Sequence, residues 1–200
     1  PPPPLELASA ASDVYKRQVI SQTGFTGEKG YEIYVRDTHE NAEKVWNKVL
    51  EDGEEFGLMV IAPAHHRRIA AGILSWGQDL DHETSPFQVN LAYQVPRNKK
   101  SDYIGKAELE RQRDIIDSGD APFKMKMVGI TLGGKEITDY APDFWLVADT
   151  DGNDMGYVTS PWWSPELETN IALAWVPWSS SEVGTKLLVK LPDEYSVTPG

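Results

Sequence analysis

A glycine-rich run that ends in a short alternating segment holds the residues best suited to chemistry. The run, TGFTGEKGYEIYV, occupies residues 23–35. Its three glycines are expected where the backbone turns tightly or approaches another group closely. In strand geometry, Glu32 and Tyr34 lie on one face, and the apolar residues between and beside them lie on the other. If the apolar face packs on a core, a carboxylate and a phenol stand together beside a glycine-built opening.

A carboxylate next to a phenol suits a flat heterocycle that carries N–H donors. Glu32 would accept hydrogen bonds from such a ring, and Tyr34 would stack on it or donate to it. The same alternation also fits a strand edge that faces solvent, and the pattern alone favours that second interpretation.

The composition argues against several classes of function. A net charge of −12 over 200 residues does not suit binding to nucleic acid or to an anionic membrane surface. No apolar run has the length of a membrane span, and no signal-peptide pattern opens the sequence. Without cysteine, and without histidines at metal-ligand spacing, we expect no metal site and no disulfide. This composition is compatible with the cytoplasm, where we expect the protein to act.

Helical patterns dominate the first part of the chain, and strand patterns dominate the rest. The predicted helices span residues 38–51, 64–74 and 106–117, and a strand is predicted at 91–95. Further strands are predicted at 127–132, 144–148, 155–160, 170–176 and 186–191, with a hairpin loop at 149–153. We therefore predict a non-native or disordered leader over 1–18, a partial α/β domain over 19–120, and an antiparallel barrel or sandwich over 121–200. Patterned sequence starts near Val19, in a strand whose partners are expected upstream.

Six short motifs follow one another in an order that is typical of one family. They are TGFTGEKGYEI at 23–33, RIAAG at 68–72, GQDLD at 77–81, YIGK at 103–106, VTSPWWSPEL at 158–167 and IALAWVP at 171–177. Together they resemble the tetrahydrofolate-dependent aminomethyltransferase family, which includes the T protein of the glycine cleavage system. The resemblance covers Val19 to about Leu191.

Within this family the chain is most similar to the dimethylsulfoniopropionate demethylases. That similarity rests on Glu32 and Tyr34, on the segment APAHHRR at 62–68, and on the Trp162-Trp163 pair. It implies a methyltransferase that moves a sulfonium methyl group to tetrahydrofolate and releases methylthiopropionate. The alternatives are the aminomethyltransferase of glycine cleavage, another folate-dependent demethylase, or a folate-binding module without turnover.

The resemblance implies an α+β fold class, the C-terminal part of an aminomethyltransferase-type folate-binding fold followed by a small antiparallel β-barrel domain. It also implies tetrahydrofolate as the cofactor, held by Glu32, Tyr34, Trp76 and Arg68. For Arg68 a structural ion pair is an equal alternative, and for Trp76 the alternative is simple packing. The family's catalytic residues are expected upstream, so we expect these 200 residues to be inactive by themselves. The expected partner is a small-molecule methyl donor, and a homodimer is left open.

Four positions depart from the pattern of the family. Where the family carries A-R-D-x-L-R-x-E-x-G, this chain has Ala64 for the first arginine, His65 for the aspartate and Ala70 for the glutamate. Pro161 replaces a glycine and is expected to stiffen a loop. Removal of ammonia from an aminomethyl adduct calls for a carboxylate that handles protons. The departures therefore lean away from glycine cleavage.

Overall fold

The computed structural model describes residues 18–62 and 64–197 and divides the chain into two compact units that meet at residues 64 and 65. The predicted leader lies outside the described residues except for Gln18. The predicted domain boundary near residue 121 stays a prediction.

The first unit contains β1 Val19–Ser21, β2 Glu32–Tyr34, α1 Thr38–Gly53 and a 3₁₀ turn at Glu54–Phe56. The second contains α2 His65–Ala70, α3 Lys106–Asp117, β3 Met125–Leu132, β4 Trp145–Ala148, β5 Asp154–Ser164, β6 Thr169–Pro177, β7 Leu188–Val189 and 3₁₀ turns at Ala92–Gln94 and Trp178–Ser180.

In the first unit, β1 and β2 form an antiparallel pair in which Ser21 lies opposite Glu32. Within the described residues, β1 pairs with the next strand along the chain, and a further partner upstream stays a prediction. The predicted first helix is confirmed as α1, in which Val45 is buried while Trp46 is 54% exposed. The residue before α1, Asp37, has a left-handed backbone and makes no side-chain capping bond to the helix.

The end of α1 depends on the absence of a side chain at Gly53. A Cβ built at this position would lie 2.6 Å from the Cβ of Leu58. The backbone N–H of Leu58 donates to the carbonyl of Gly53 at 3.0 Å, which draws the two residues together. Glycine is therefore needed here for close approach, and its backbone angles are ordinary.

In the second unit, α2 is shorter than the predicted helix over 64–74 because Gly72 ends it. Gly72 has a φ of +68° and its N–H donates to the carbonyl of Ile69 at 3.0 Å. The next N–H, on Ile73, reaches back to the carbonyl of Arg68 at 2.8 Å. This pair of bonds is the Schellman motif, which closes a helix at a left-handed glycine. The predicted start at residue 64 lies one residue before the first residue of α2, His65.

The second unit is built on a curled antiparallel sheet with the strand order β3-β6-β5-β4-β7, which forms half of a barrel. β6 is buried on both faces, and its alternate residues belong to two apolar clusters. One cluster contains Ala172, Ala174 and Val176, and the other contains Ile171, Leu173 and Trp175. The predicted fold class, α+β with a small antiparallel barrel domain, is confirmed.

The predicted strand over 91–95 is wrong, because this segment forms a 3₁₀ turn at Ala92–Gln94. Its backbone groups are satisfied locally: Leu91 N–H donates to the Pro86 carbonyl at 2.9 Å and Gln94 N–H to the Leu91 carbonyl at 3.0 Å. The short alternating pattern that suggested a strand is outweighed by these turn bonds.

Pro161 lies inside β5 and not in a loop, so the expectation of a stiffened loop is wrong. It pairs with Ala172 of β6, whereas β4 ends opposite Val158 and does not extend alongside Pro161. Trp163 has the same orientation in the strand two residues later, and its N–H donates to the Ile137 carbonyl at 2.8 Å, outside the β5–β6 ladder. Proline at 161 therefore removes no hydrogen bond to β6. A register shift between Val158 and Ser160 marks a bulge just before it.

Among the residues that the structure describes, no helix has both the length and the apolar character that a membrane crossing requires.

Candidate functional site

The Glu32 carboxylate is the centre of a small polar cluster in the first unit. The hydroxyl of Thr23 and the phenol of Tyr34 both donate to Oε2, the latter at 2.9 Å. These two bonds, first that of Thr23 and then that of Tyr34, hold the pKa of Glu32 below its ordinary value of 4.5. The other oxygen, Oε1, has no hydrogen-bond partner among the described residues. The site therefore presents an ionised acceptor with free lone pairs at neutral pH.

The local sequence explains how this cluster forms. β2 places Glu32 and Tyr34 on the same face, as the alternation predicts, and their side chains meet. The loop between β1 and β2 turns at Gly27, whose φ of +76° favours glycine. It carries Thr23 back over Glu32. The predicted pair is thus joined by a third residue, Thr23, which lies in the same motif but was not singled out.

The other two glycines of the loop are not required by contacts within the protein. Gly24 and Gly30 have ordinary φ angles, and a Cβ at Gly24 would meet no atom within 4 Å. At Gly30 the nearest atom would be the carbonyl oxygen of Glu28, at 4.0 Å. A glycine in open space is compatible with the close approach of a ligand to the backbone.

Exposed apolar and aromatic side chains lie along the same strand and loop. Tyr34, on the same face of β2 as Glu32, is 54% exposed, and Phe25 of the loop is exposed as well. Tyr31 and Ile33 lie on the opposite face and are also exposed, so among the described residues this apolar face does not pack on a core, contrary to the assumption made from the sequence. An aromatic surface next to an ionised carboxylate suits a flat ring with N–H donors.

In the second unit, Arg68 is 1% exposed and forms a buried ion pair with Asp79, with Nη1 donating to Oδ2 at 2.8 Å. The rest of its guanidinium is also engaged: Nη1 donates to the Ile73 carbonyl at 3.1 Å and Nη2 to the Ser160 hydroxyl at 2.9 Å. Of the two interpretations of Arg68, this geometry favours the ion pair. Cofactor binding by Arg68 stays an untested prediction.

The Asp79 carboxylate collects donors from two separate parts of the unit. Ser75 N–H donates to Oδ2 at 2.7 Å, while the hydroxyls of Thr159 and Ser160 both donate to Oδ1 at 2.6 Å. Consecutive strand residues normally point to opposite faces. The bulge in β5 redirects one of them, so both hydroxyls reach one carboxylate. The loop at 75–81 is thereby fixed to the sheet.

Trp76 lies in this fixed loop and is 67% exposed. Gly77, with a φ of +80°, turns the backbone, and its N–H donates to the Leu80 carbonyl at 2.8 Å. Trp76 therefore lies in a turn with its indole exposed to solvent. Its contact with a cofactor stays a prediction.

His65, which the resemblance described above places in the position of an aspartate, is held as a neutral imidazole. Nδ1 accepts from Nε of Arg68 at 3.2 Å, so the neutral ring carries its proton on Nε2 and donates to the hydroxyl of Tyr140. Burial, and then the charge of Arg68, lower the pKa of His65. This position supplies no negative charge.

The sequence paired Glu32 with Tyr34 correctly, but the network around Asp79 was missed. Asp79, Thr159 and Ser160 each lie in a motif quoted above, yet nothing in their spacing shows that they meet across about 80 residues. A pattern of polar residues inside otherwise apolar strands was the available signal. Among the described residues, no group of three or more histidine, aspartate and glutamate side chains could share a metal ion.

Comparison with known proteins gives two family matches. The GCVT N-terminal domain matches residues 9–99, and the glycine cleavage T-protein C-terminal barrel domain matches residues 126–198. The chain is 31% identical over 178 residues to an aminomethyltransferase of Bacillus subtilis (strain 168), covering 88% of this chain and 46% of the relative. It is 33% identical over 177 residues to an aminomethyltransferase of Geobacillus sp. (strain WCH70), covering 88% and 45%.

One solved structure has the same fold over most of the chain. It is the crystal structure of glycine cleavage system aminomethyltransferase T from Bartonella henselae, with a TM-score of 0.69 and 25% sequence identity. The match covers 88% of this chain and 46% of that one. The chain therefore spans about half the length of the curated relatives that it matches.

Proposed function

Since this chain belongs to the glycine cleavage T-protein family, we propose that it binds tetrahydrofolate for one-carbon transfer, with Glu32 orienting the reduced pterin. The observation that carries the proposal is the state of the Glu32 carboxylate. Oε2 is fixed by Thr23 and Tyr34, the pKa is lowered, and Oε1 is free to accept from a ligand. An ionised carboxylate accepts hydrogen bonds from the N–H groups of a pterin without needing to lose a proton first.

The surroundings of Glu32 fit the shape of the proposed ligand. Tyr34 has an exposed ring beside the carboxylate, and Gly24 leaves open space over the loop backbone. A flat ring system stacks on aromatic side chains and needs close approach to the backbone. Tyr34 would thus hold Glu32 by its hydroxyl and meet the ligand with its ring.

Bound tetrahydrofolate would supply N5 as the acceptor of the one-carbon unit. The role of this chain in the reaction would be to bind tetrahydrofolate and to orient its pterin ring. Positioning of two reactants at near-attack distance can lower a barrier by about 7–11 kcal/mol. The proposed role of Glu32 and Tyr34 therefore needs no nucleophilic side chain.

For the one-carbon donor we propose dimethylsulfoniopropionate. A sulfonium methyl group is already activated, because its leaving group departs as a neutral thioether. The C–S bond would break as the methyl carbon bonds to N5, and the proton that N5 carried would be released to solvent, so departure of the leaving group needs no proton-handling carboxylate. This agrees with His65 and Ala70, which remove two carboxylates found in the family pattern. His65 is further engaged as a neutral imidazole by Arg68 and Tyr140.

The second candidate is aminomethyl transfer in glycine cleavage. It is favoured by the names of the two relatives at 31% and 33% identity, both of which are aminomethyltransferases. The two candidates differ in their donor and share the proposed folate site.

The folate site is tested by the substitution Glu32→Gln, which keeps the shape of the side chain and removes its charge. We expect the affinity of the complete product of the reading frame for tetrahydrofolate, measured by isothermal titration calorimetry, to fall at least about tenfold, or roughly 1.4 kcal/mol. Glu28→Gln is the matched control, because Glu28 is an exposed carboxylate of the same loop, and it should leave the affinity unchanged. Equal affinities in wild type and Glu32→Gln, or no saturable binding by wild type, would contradict the proposal.

The donor is tested by product analysis on the complete product of the reading frame, with tetrahydrofolate and each donor in turn. Release of methylthiopropionate together with 5-methyltetrahydrofolate would support the demethylase. Ammonia release from an aminomethyl donor, without reaction of the sulfonium compound, would support the second candidate. The 200 residues by themselves are expected to give neither product.

A further inference from the structure

A small cavity of about 140 Å³ in the second unit lies between the loop at 77–84 and the sheet. Three aromatic side chains line it, and these are Phe144, Tyr157 and Trp175. It is smaller than the roughly 300–1,000 Å³ of pockets that hold drug-sized ligands. The cavity therefore has room for a compact ligand and not for an extended one.

The hydrogen-bond donors of the loop are already used. The N–H groups of Gly77, Gln78 and Asp79 donate to carbonyls within the loop region, and that of Asp81 donates to the Thr84 hydroxyl at 3.1 Å. The Gln78 amide donates to the Thr159 carbonyl at 2.9 Å. A site whose donors are engaged has little to offer an anion.

The acceptors are not all used. Asp81 accepts at Oδ1 from the N–H of Glu83 at 2.9 Å and from the Thr84 hydroxyl at 3.0 Å, and Oδ2 has no hydrogen-bond partner among the described residues. These bonds lower the pKa of Asp81, so it is ionised at neutral pH. Burial, and then the charge of Asp81, raise the pKa of Tyr157.

Charge compensation sets Asp81 apart from the other carboxylate of the cavity. Asp79 is buried and its charge is balanced by Arg68. Of the described residues, no lysine or arginine lines the cavity. Asp81 therefore leaves one negative charge there without a cationic partner in the lining.

The aromatic rings are held in defined positions. The indole N–H of Trp175 donates to the Asp79 carbonyl at 2.9 Å, and the rings of Phe144 and Tyr157 stack with centroids 5.3 Å apart. Phe144 is 52% exposed, so its ring is accessible from solvent. A rigid aromatic lining with one ionised carboxylate is the chemistry that recognises methylated onium cations.

We propose that this cavity binds a small methylated onium ion, a quaternary ammonium or a sulfonium, between the Asp81 carboxylate and the rings of Phe144, Tyr157 and Trp175. The ion would lie against the aromatic faces by cation–π attraction and would satisfy the charge of Asp81. The site is independent of the folate proposal, since none of its residues belongs to the Glu32 cluster.

The test follows the indole N–H of Trp175 in ¹⁵N–¹H spectra during titration with tetramethylammonium chloride and, separately, trimethylsulfonium chloride. Trp175→Phe assigns the signal. We expect a saturable shift in the millimolar range with either cation, and none with sodium chloride at equal ionic strength. A response to one cation alone would identify which onium class the site takes. No saturable shift with either cation, or the same shift with sodium chloride, would overturn the proposal.

Asp81→Asn removes the charge while its amide oxygen can still accept from Glu83 and Thr84. We expect at least tenfold weaker binding, whereas Asp151→Asn, an exposed aspartate of the hairpin loop, should have no effect. Phe144→Leu gives a second measure, because its exposed position tolerates substitution, and the loss should be about two- to fivefold. Equal binding by the Asp81 and Asp151 variants, or undiminished binding by Phe144→Leu, would contradict the site.

Discussion

At the scale of single residues, the two carboxylates Glu32 and Asp79 differ in what surrounds them. Glu32 is half-buried and no described residue donates to its Oε1, whereas Asp79 is buried and both its oxygens are occupied. A free acceptor on an ionised group is available for a ligand, but a fully bonded carboxylate in an ion pair holds structure. We therefore assign a ligand-binding role to Glu32 and a structural role to Asp79.

The pKa of Glu32 should depend on Thr23. Thr23→Val removes the larger of the two bonds that lower it, so we expect the pKa to rise toward 4.5, as measured by carbon NMR titration of the side-chain carboxyl. Because the folded pKa lies below the unfolded one, the group contributes stability above the unfolded pKa and loses it as pH falls through the folded pKa. Thr23→Val should bring the folded pKa of Glu32 closer to the unfolded pKa, so the ionised carboxylate should contribute less to stability. Thr26→Val is the control, and an equal shift in both variants would contradict the assignment.

The ion pair of Arg68 should be important for stability. Arg68→Met leaves the Asp79 carboxylate buried without its partner, and we expect a loss of about 3–5 kcal/mol in the free energy of unfolding by urea. Arg97→Met removes an exposed pair with Asp117 and should change stability little. If both variants unfold at the same urea concentration as wild type, the buried network is not stabilising.

At the scale of elements, β5 and β6 pack so closely that one glycine is required. A Cβ at Gly156 would run into the carbonyl oxygen of Trp175 on β6, and the strands would have to separate. By contrast, a Cβ at Gly129 of β3 would meet no atom within 4 Å. Glycine is thus required at position 156, where any side chain would clash with β6, but not at position 129, where a side chain would meet nothing.

This contrast gives a prediction for two alanine variants. Gly156→Ala should destabilise the chain by about 1–3 kcal/mol, because extra volume in a packed region forces the backbone to shift. Gly129→Ala has an ordinary φ and open space, so the unfolding midpoint should stay close to that of wild type. Thermal unfolding followed by near-UV circular dichroism would measure both. Similar midpoints for Gly156→Ala and wild type would show that β5 and β6 are less tightly packed than described.

At the scale of the whole molecule, the two units differ in how much apolar surface they bury. Both apolar clusters lie in the second unit, whereas Val45 is the one buried apolar side chain among the described residues of the first. Buried apolar area is the main source of stability. The first unit should therefore open more readily than the second.

Hydrogen exchange followed by mass spectrometry would test this difference. Amides of α1 should exchange well before those of β6, since local opening follows from few buried apolar contacts. Peptides from α3, an exposed helix of the second unit, serve as a control for helical exchange. Equal protection of α1 and β6 would show that the two units share one cooperative core.

The sequence by itself determined the elements and the pairing of Glu32 with Tyr34. Alternation is local, so strand residues 32 and 34 share a face in any fold that forms the strand. The helices α1 and α3 followed from periodicity for the same reason. The positions of β3 to β7 were predicted, but β5 extends four residues beyond the predicted 155–160, to Ser164, and β7 covers only Leu188–Val189 of the predicted 186–191. The helix after Pro63 was predicted too long and the strand at 91–95 was wrong, because turn bonds at Gly72 and Leu91 outweighed short patterns.

Only the tertiary structure showed that Arg68 and Asp79 form a buried ion pair and which aromatic rings line the small cavity. Thr159 and Ser160 reach Asp79 through a bulge in β5, and Phe144 meets Tyr157 across a strand pair. Such meetings depend on register and on one extra residue in a ladder, which residue type and spacing do not encode. The Glu32–Tyr34 pair could be predicted from the sequence because it depends only on strand alternation. The contacts between distant segments could be identified only in the folded chain.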